Sequence, residues 1–175
     1  NPRHAGTVGS IESILSRALI IGGTGRDTIS IYDNARAEAV LAQVDVFSAK
    51  PFQPADPSVA TPAQIAADPL QQRIDFTRIR FTARDGGPGP DGSVALNSFE
   101  NSYVYLGAAN DKVEVKAVLQ PIGIYTGGGN DDIFIGSTPD DALTSTLDGI
   151  ETILTIDGGL GSSRIVVSRG GDSDD

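Results

Sequence analysis

The chain of 175 residues contains no cysteine, no methionine and no tryptophan. Without cysteine there are no disulfides, thiolate zinc sites, iron–sulfur clusters or cysteine nucleophiles. His4, in a polar N-terminal stretch, is the only histidine, which argues against a Ser-His-Asp triad or a multi-histidine metal site. Aromatics make up 6% of the chain. Positive charge is also short: 13 Lys and Arg stand against 23 Asp and Glu, for a net charge of −10. No nucleic-acid partner is expected at that balance, and the acidity attracts cations. No run of 18 apolar residues occurs, so no membrane-spanning helix is expected. No secretory signal is present. A chain without any methionine is expected to be a processed product or a piece of something longer.

What is there is aliphatic and glycine-rich. Hydrophobic residues, largely Ile, Val, Leu and Ala, reach 39%, with 21 Gly and 10 Pro. That is enough for one folded domain. Four segments align without gaps over ten residues: 22–31, 106–115, 126–135 and 158–167. Their second position is always Gly: Gly23, Gly107, Gly127 and Gly159. Their sixth is Asp27, Asp111, Asp131 and then Ser163. The eighth and tenth are always β-branched, as in Ile133 and Ile135. Gly-rich tetrads supply the positive φ of tight turns, and Ile-x-Ile has the period of a strand with one buried face. The pattern reads as strand, turn, strand, against an alternative of four unrelated hairpins.

A longer period lies above this one. Residues 11–32 align gap-free with 147–168, an offset of 136. Ile14/Ile150, Ile20/Ile156, Gly22/Gly158, Gly23/Gly159, Gly25/Gly161 and Ile29/Ile165 are identical pairs. The ten-residue blocks lie 84, 20 and 32 residues apart. Twenty residues suits one coil of a β-solenoid. Thirty-two is one such coil plus a loop, for which 137–146 is the candidate. Within the long gap, Thr61-Pro62-Ala63-Gln64 carries helix-start signals and predicts one short helix through about Ala67. Residues 35–47 are ambiguous between helix and strand, 73–82 alternates as a strand, 86–92 is a loop, and 98–106 returns to strand.

The blocks Gly22-Gly-Thr-Gly-Arg-Asp-Thr-Ile-Ser30 and Gly127-Gly-Gly-Asn-Asp-Asp-Ile-Phe134 resemble the Gly-Gly-x-Gly-x-Asp nonapeptide of RTX, or hemolysin-type calcium-binding, repeats. The order Phe99-Glu100, Leu106-Gly107, Asn110-Asp111, Gly127 to Asp131, Leu147 to Ile150 is similar to tandem units of giant secreted and cell-surface proteins. The resemblance covers 1–32 and roughly 98–175. It implies a parallel β-roll or β-helix, an extracellular or cell-surface location, and calcium held between stacked turns by Asp111, Asp131, Asn110, Asn130 and Asp27. Departures are evident: the repeats are not tandem nonapeptides, Ala109 replaces the fourth-position Gly, and Ser163 replaces the Asp.

Calcium takes six to eight oxygens, which stacked carbonyls and the sixth-position Asp can offer. The competing reading is that Asp and Asn stabilise turns by accepting nearby backbone N–H groups, with no metal. No catalytic residues are assigned and the chain is not expected to be an enzyme; Arg78 and Arg80 in one strand are the only lyase-like suggestion. The fold expected is mostly β: a right-handed parallel β-helix or β-roll-like solenoid. Residues 1–32 form a first coil (a copy of 137–168), 33–97 an irregular excursion plus strands, and 98–175 the coils with Gly-Asp turns. Ile29, Val113, Ile133 and Ile165 are expected to share one inward ladder, with Ile31, Val115, Ile135 and Val167 two residues on. The function expected is that of a structural repeat unit in an extracellular filament, appendage, sheath or adhesin stalk, with itself as partner, head to tail. The alternative is a calcium-dependent adhesive or carbohydrate-binding module, with surface glycans as partners and Tyr103, Tyr105 and Tyr125 as contact residues.

Overall fold

The computed structural model describes residues 17–35, 37–49, 74–83 and 93–171. They are mostly β, with no helix among the described residues. The strands are β1 (Arg17–Ile21), β2 (Thr28–Tyr32), β3 (Val40–Ala49), β4 (Ile74–Ala83), β5 (Ser93–Asn97) and β6 (Asn101–Tyr105). They continue as β7 (Lys112–Val115), β8 (Ile122–Tyr125), β9 (Asp132–Ile135), β10 (Leu154–Asp157) and β11 (Arg164–Val167). The predicted helix at Thr61–Ala67 and the loop at 86–92 lie outside the described residues.

Two sheets form. The wide sheet has seven strands in the order β1-β5-β4-β3-β7-β9-β11, and the narrow sheet has four in the order β10-β8-β6-β2. Pairing is parallel throughout, except that β3, β4 and β5 form an antiparallel meander. The four Gly-rich blocks each carry the chain from one sheet to the other, so their flanking strands do not pair. They are crossings, not hairpins, because parallel neighbours cannot be joined by a tight turn.

The register matches the sequence spacing. Val113 pairs with Ile133, twenty residues on, and Ile133 with Ile165, a further thirty-two. Residues 116–121 link β7 to β8, whereas 136–153 link β9 to β10. The surplus is the loop expected at 137–146, closed by the Ser137 N–H on the Thr146 carbonyl (2.9 Å) and the Thr146 N–H on Ser137 Oγ (2.9 Å). Beyond it the chain resumes the stack, and Ile150 bridges Val118.

The core lies between the sheets. Val44, Ile79, Leu96, Val113, Val115 and Val118 are fully enclosed. From the narrow sheet Val104 and Ile124 meet them, with Ile156 packed alongside. Each Ile or Val buried this way contributes about 1.5–3 kcal/mol. The first block departs from the expected ladder. Ile29 and Ile31 pair with Ser102 and Val104 in the narrow sheet, whereas Val113, Ile133 and Ile165 stand in the wide one. The reason is direction: the turn at 22–27 crosses from the wide sheet to the narrow, and the other three cross back.

The ambiguous stretch resolves as β3, a ten-residue strand from Val40 to Ala49. Its alternating Val40, Ala42 and Val44 enter the core, and tertiary burial overrides the helix preference of the alanines. β4 is covered on both faces at Phe76 and Thr77, where the Leu119 N–H reaches Thr77 Oγ1 at 3.1 Å. Arg78 and Arg80 both bind Asp45 on the neighbouring strand, Arg78 through two nitrogens at 2.8 and 2.6 Å. That bond, with the Asp45 charge, outweighs burial and raises the Arg78 pKa further.

Candidate functional site

Three Gly-rich turns, at 106–111, 126–131 and 158–163, stack on one rim of the molecule. At Gly127 and Gly159 the second-position glycine is dictated by that stacking. A Cβ on Gly127 would overlap the Gly107 carbonyl, and one on Gly159 would overlap that of Gly127. The turns come this close because the Gly128 N–H donates to the Gly107 carbonyl (3.0 Å) and the Leu160 N–H to that of Gly127 (2.7 Å). The Ala109 substitution also has a structural counterpart. Gly127 and Gly129 both hold left-handed φ, of 89° and 102°, as do Gly159 and Gly161, while no residue of the 106–111 turn does.

Two side-chain ladders lock the stack, and they run in opposite directions. In the aspartate ladder each carboxylate accepts from the backbone of the preceding level. The Val40 N–H donates to Asp111 Oδ1 at 2.9 Å, and the Asp111 N–H to Asp131 Oδ1 at 2.9 Å. Ser163 ends this ladder with a hydroxyl. It accepts from the Asp131 N–H (3.4 Å), and its one O–H proton is shared between Asp131 Oδ2 (3.2 Å) and the Gly158 carbonyl (3.0 Å). In the asparagine ladder each side chain accepts from the following level. The Asn130 N–H donates to Asn110 Oδ1 (2.7 Å), and the Ser162 N–H to Asn130 Oδ1 (3.0 Å). Asp111 and Asp131 are each 1% exposed. A buried carboxylate must be paired or hydrogen-bonded to persist, and backbone amides supply that here.

The sequence-predicted residues therefore divide. Asp111, Asp131, Asn110 and Asn130 come together, one level apart as the spacing requires. Asp27 does not join them. Its turn lies on the opposite rim, where its N–H donates to Glu100 Oε2 at 2.6 Å and its carbonyl accepts from the Asn101 N–H at 3.3 Å. One oxygen of Asp111 and both of Asp131 hold hydrogen bonds. No group of three His, Cys, Asp or Glu side chains converges among the described residues.

Beside the aspartate ladder, on the wide sheet, lies a charged cluster that sequence reading missed. Glu114 is buried and binds Lys112 at 2.7 Å and Gln43 Nε2 at 2.8 Å, with Lys116 at 3.8 Å. Burial pushes its carboxyl upward, but the bonds from Lys112 and Gln43 and the two lysine charges prevail and hold its pKa below the ordinary carboxylate value. Lys112-Val-Glu-Val-Lys116 shows the alternation but not the Gln43 partner, which sits 71 residues away.

The tyrosines gather on the narrow sheet. Tyr32, Tyr105 and Tyr125 stand in register, with ring centroids 4.9 and 5.0 Å apart and planes nearly parallel. Tyr103 leans on both Tyr105 and Tyr125 at 6.4 and 6.3 Å. Gly123 makes room for the Tyr103 and Tyr125 rings, each of which would crowd a Cβ there at 3.2 and 3.1 Å. All four tyrosines are half-buried by this packing. Beyond Tyr103 lies an open groove of about 200 Å³, walled by Tyr103, Pro121, Ile153 and Thr155 with Glu100 and Asn101 at its edge. Comparison with protein-family models, with curated proteins and with solved structures finds no match for the chain.

Proposed function

We propose that the chain is a structural repeat unit: a right-handed β-solenoid segment of an extracellular filament, appendage, sheath or adhesin stalk, extended end to end by further units. The observation that carries this reading is that, among the described residues, no further strand covers the last coil. The Val113–Ile133–Ile165 ladder goes from 0% to 2% to 48% exposed along its register, and Val167 is 59% exposed. β10 and β11 are edge strands among the described residues, and an open edge with an aliphatic face is what one more coil covers. Stability in such a stack is a sum of nearest-neighbour contacts, so length can grow without a new core.

Chains of one, two and three units, made by appending residues 33–168 after Ser168, test the reading by small-angle X-ray scattering. A constant cross-section with an equal gain in length per unit is expected. A string of flexibly linked beads contradicts it.

A second reading, a calcium-dependent adhesive or carbohydrate-binding module, is favoured by the tyrosine cluster and its groove. Stacked aromatic faces suit sugar rings, but the four rings stack mainly on one another. A glycan-array screen decides between the two. Strong binding that is lost in Tyr103→Ala and on adding EDTA supports the module, and an empty array supports the structural unit.

A further inference from the structure

The exposed coil at β10–β11 has a sequence equivalent whose cover is visible in the same chain. Residues 17–32 match 153–168 at the 136-residue offset, and the match extends to conformation. Gly23 and Gly25 hold φ of 92° and 135°, and Gly159 and Gly161 hold 62° and 128°. What lies on 17–32 is the segment Ser93–Tyr105. β5 pairs with β1 from Arg17↔Ser93 to Ile21↔Asn97, and β6 pairs with β2 from Thr28↔Asn101 to Tyr32↔Tyr105. Its connecting turn sits on the glycine turn, where the Gly22 N–H donates to the Asn97 carbonyl (3.0 Å) and the Asp27 N–H to Glu100 (2.6 Å).

The two copies differ in what touches them. A Cβ on Gly22 would overlap the Ser98 carbonyl as well as press on Asp27 of its own turn. A Cβ on Gly158 meets only Ser163 of its own turn, so the place of that carbonyl is open. Ile31 is 7% exposed under its cover, and its equivalent Val167 is 59% exposed.

We infer that β10–β11 is the docking face for the strand–turn–strand segment Ser93–Tyr105 of a following unit, and that successive units are turned half a coil about the stack axis. The turn follows from the crossing direction. β1 lies in the wide sheet and β2 in the narrow one, while their equivalents β10 and β11 lie in the narrow and the wide sheet respectively. A β5 docked on β10 therefore starts the next unit's wide sheet on the side where this unit is narrow. Between β1 and β9 the wide sheet holds six strands and the narrow one three. Repeating that excess on one side bends the stack toward the narrow sheet at every unit. Alternation balances it over each pair.

This inference rests on the end-to-end reading, and one chain tests the two separately. It consists of residues 1–168 followed directly by 33–175. The parent has no cysteine, so an introduced pair reports one contact, and in-register neighbours at about 4.8 Å are within disulfide range. Asp157→Cys in the first unit with Asn97→Cys in the second, the pair equivalent to Ile21 and Asn97, is expected to bridge in most molecules under mild oxidation. Val167→Cys with the same second-unit Asn97→Cys is expected to stay reduced. The opposite pattern shows units stacked without the half turn and overturns the inference while the end-to-end reading stands. If neither pair bridges, hydrogen exchange at first-unit residues 154–167 decides. Slower exchange than in the 175-residue chain shows another segment docked there and overturns the inference alone. Unchanged exchange shows nothing docked, and overturns both.

Discussion

Asp131 accepts one buried backbone amide and one hydroxyl, and its value to the molecule follows from what its loss exposes. In Asp131→Ala the Asp111 N–H loses its acceptor at a position enclosed by the stack. An orphaned buried donor costs about 1–3 kcal/mol, and thermal unfolding is expected to shift by that amount. Asp131→Asn retains an oxygen acceptor and is expected to lose less. If the aspartates served calcium, EDTA would lower the melting temperature of the parent chain, because a site filled at 100 times its dissociation constant adds about 2.7 kcal/mol. An amide-bonded ladder predicts the same melting temperature with and without chelator. Glu114 gives a pH dependence. Its carboxyl titrates below the ordinary range in the folded chain, so its contribution is present above the unfolded-state pKa and disappears as pH falls through the folded one. Glu114→Gln is expected to flatten the acid limb of stability and to leave its slope near neutrality unchanged; an identical acid limb in denaturant melts contradicts this. At this scale the sequence was partly legible. The fixed offset of Asp111 and Asp131 placed them one level apart, but which atom each bonds depends on partners 20 to 71 residues away. Asn110 and Asn130 share their offset too, yet nothing in the sequence shows that their ladder runs opposite to that of the aspartates.

The strands owe their existence to alternation and their pairing to the turns. Ile133 stands at the centre of the wide sheet's parallel half, 2% exposed, whereas Ile165 on the last strand is 48% exposed. Ile133→Ala is expected to cost about 2–5 kcal/mol, and Ile165→Ala well under half of that in the same denaturant melts. Equal losses would show that β11 is as enclosed as β9. Most elements were readable in advance: four strand–turn–strand blocks, the strand at 73–82, and the loop that absorbs the longer spacing at 137–146. Two things were not. Residues 35–47 carry helix formers, and only the burial of β3 between β4 and β7 decides for strand. The direction in which each turn crosses between sheets leaves no local signature, because the same Gly-x-Gly-x-Asp turn serves both rims. That is why Ile29 and Ile31 fell on the wrong sheet in the expected ladder. Their pattern matches Ile165 and Val167 residue for residue, and the phase reverses because two further crossings, β2 to β3 and β5 to β6, separate the first block from the second, whereas each later pair of blocks has one crossing between.

At the scale of the whole molecule, two sheets, parallel apart from the β3–β4–β5 meander, share one core, and three of the Gly-rich turns stack along one rim. Among the described residues β10 and β11 are edge strands at one end, and the proposed function and the half-turn arrangement both depend on the register being regular. That register makes the most direct claim. The side chains of Lys112, Asp132 and Arg164 occupy successive levels of one column, and Arg164 binds Asp132 across the last step at 3.0 Å. In a chain without cysteine, the pairs Lys112→Cys with Asp132→Cys, and Asp132→Cys with Arg164→Cys, each span one strand spacing of about 4.8 Å. The pair Lys112→Cys with Arg164→Cys spans two, beyond the reach of a disulfide. Mass spectrometry after mild oxidation is predicted to find both single-step pairs bridged and the two-step pair reduced. Single-step pairs that stay open, or a two-step pair that closes, would contradict the stacked register and everything built on it.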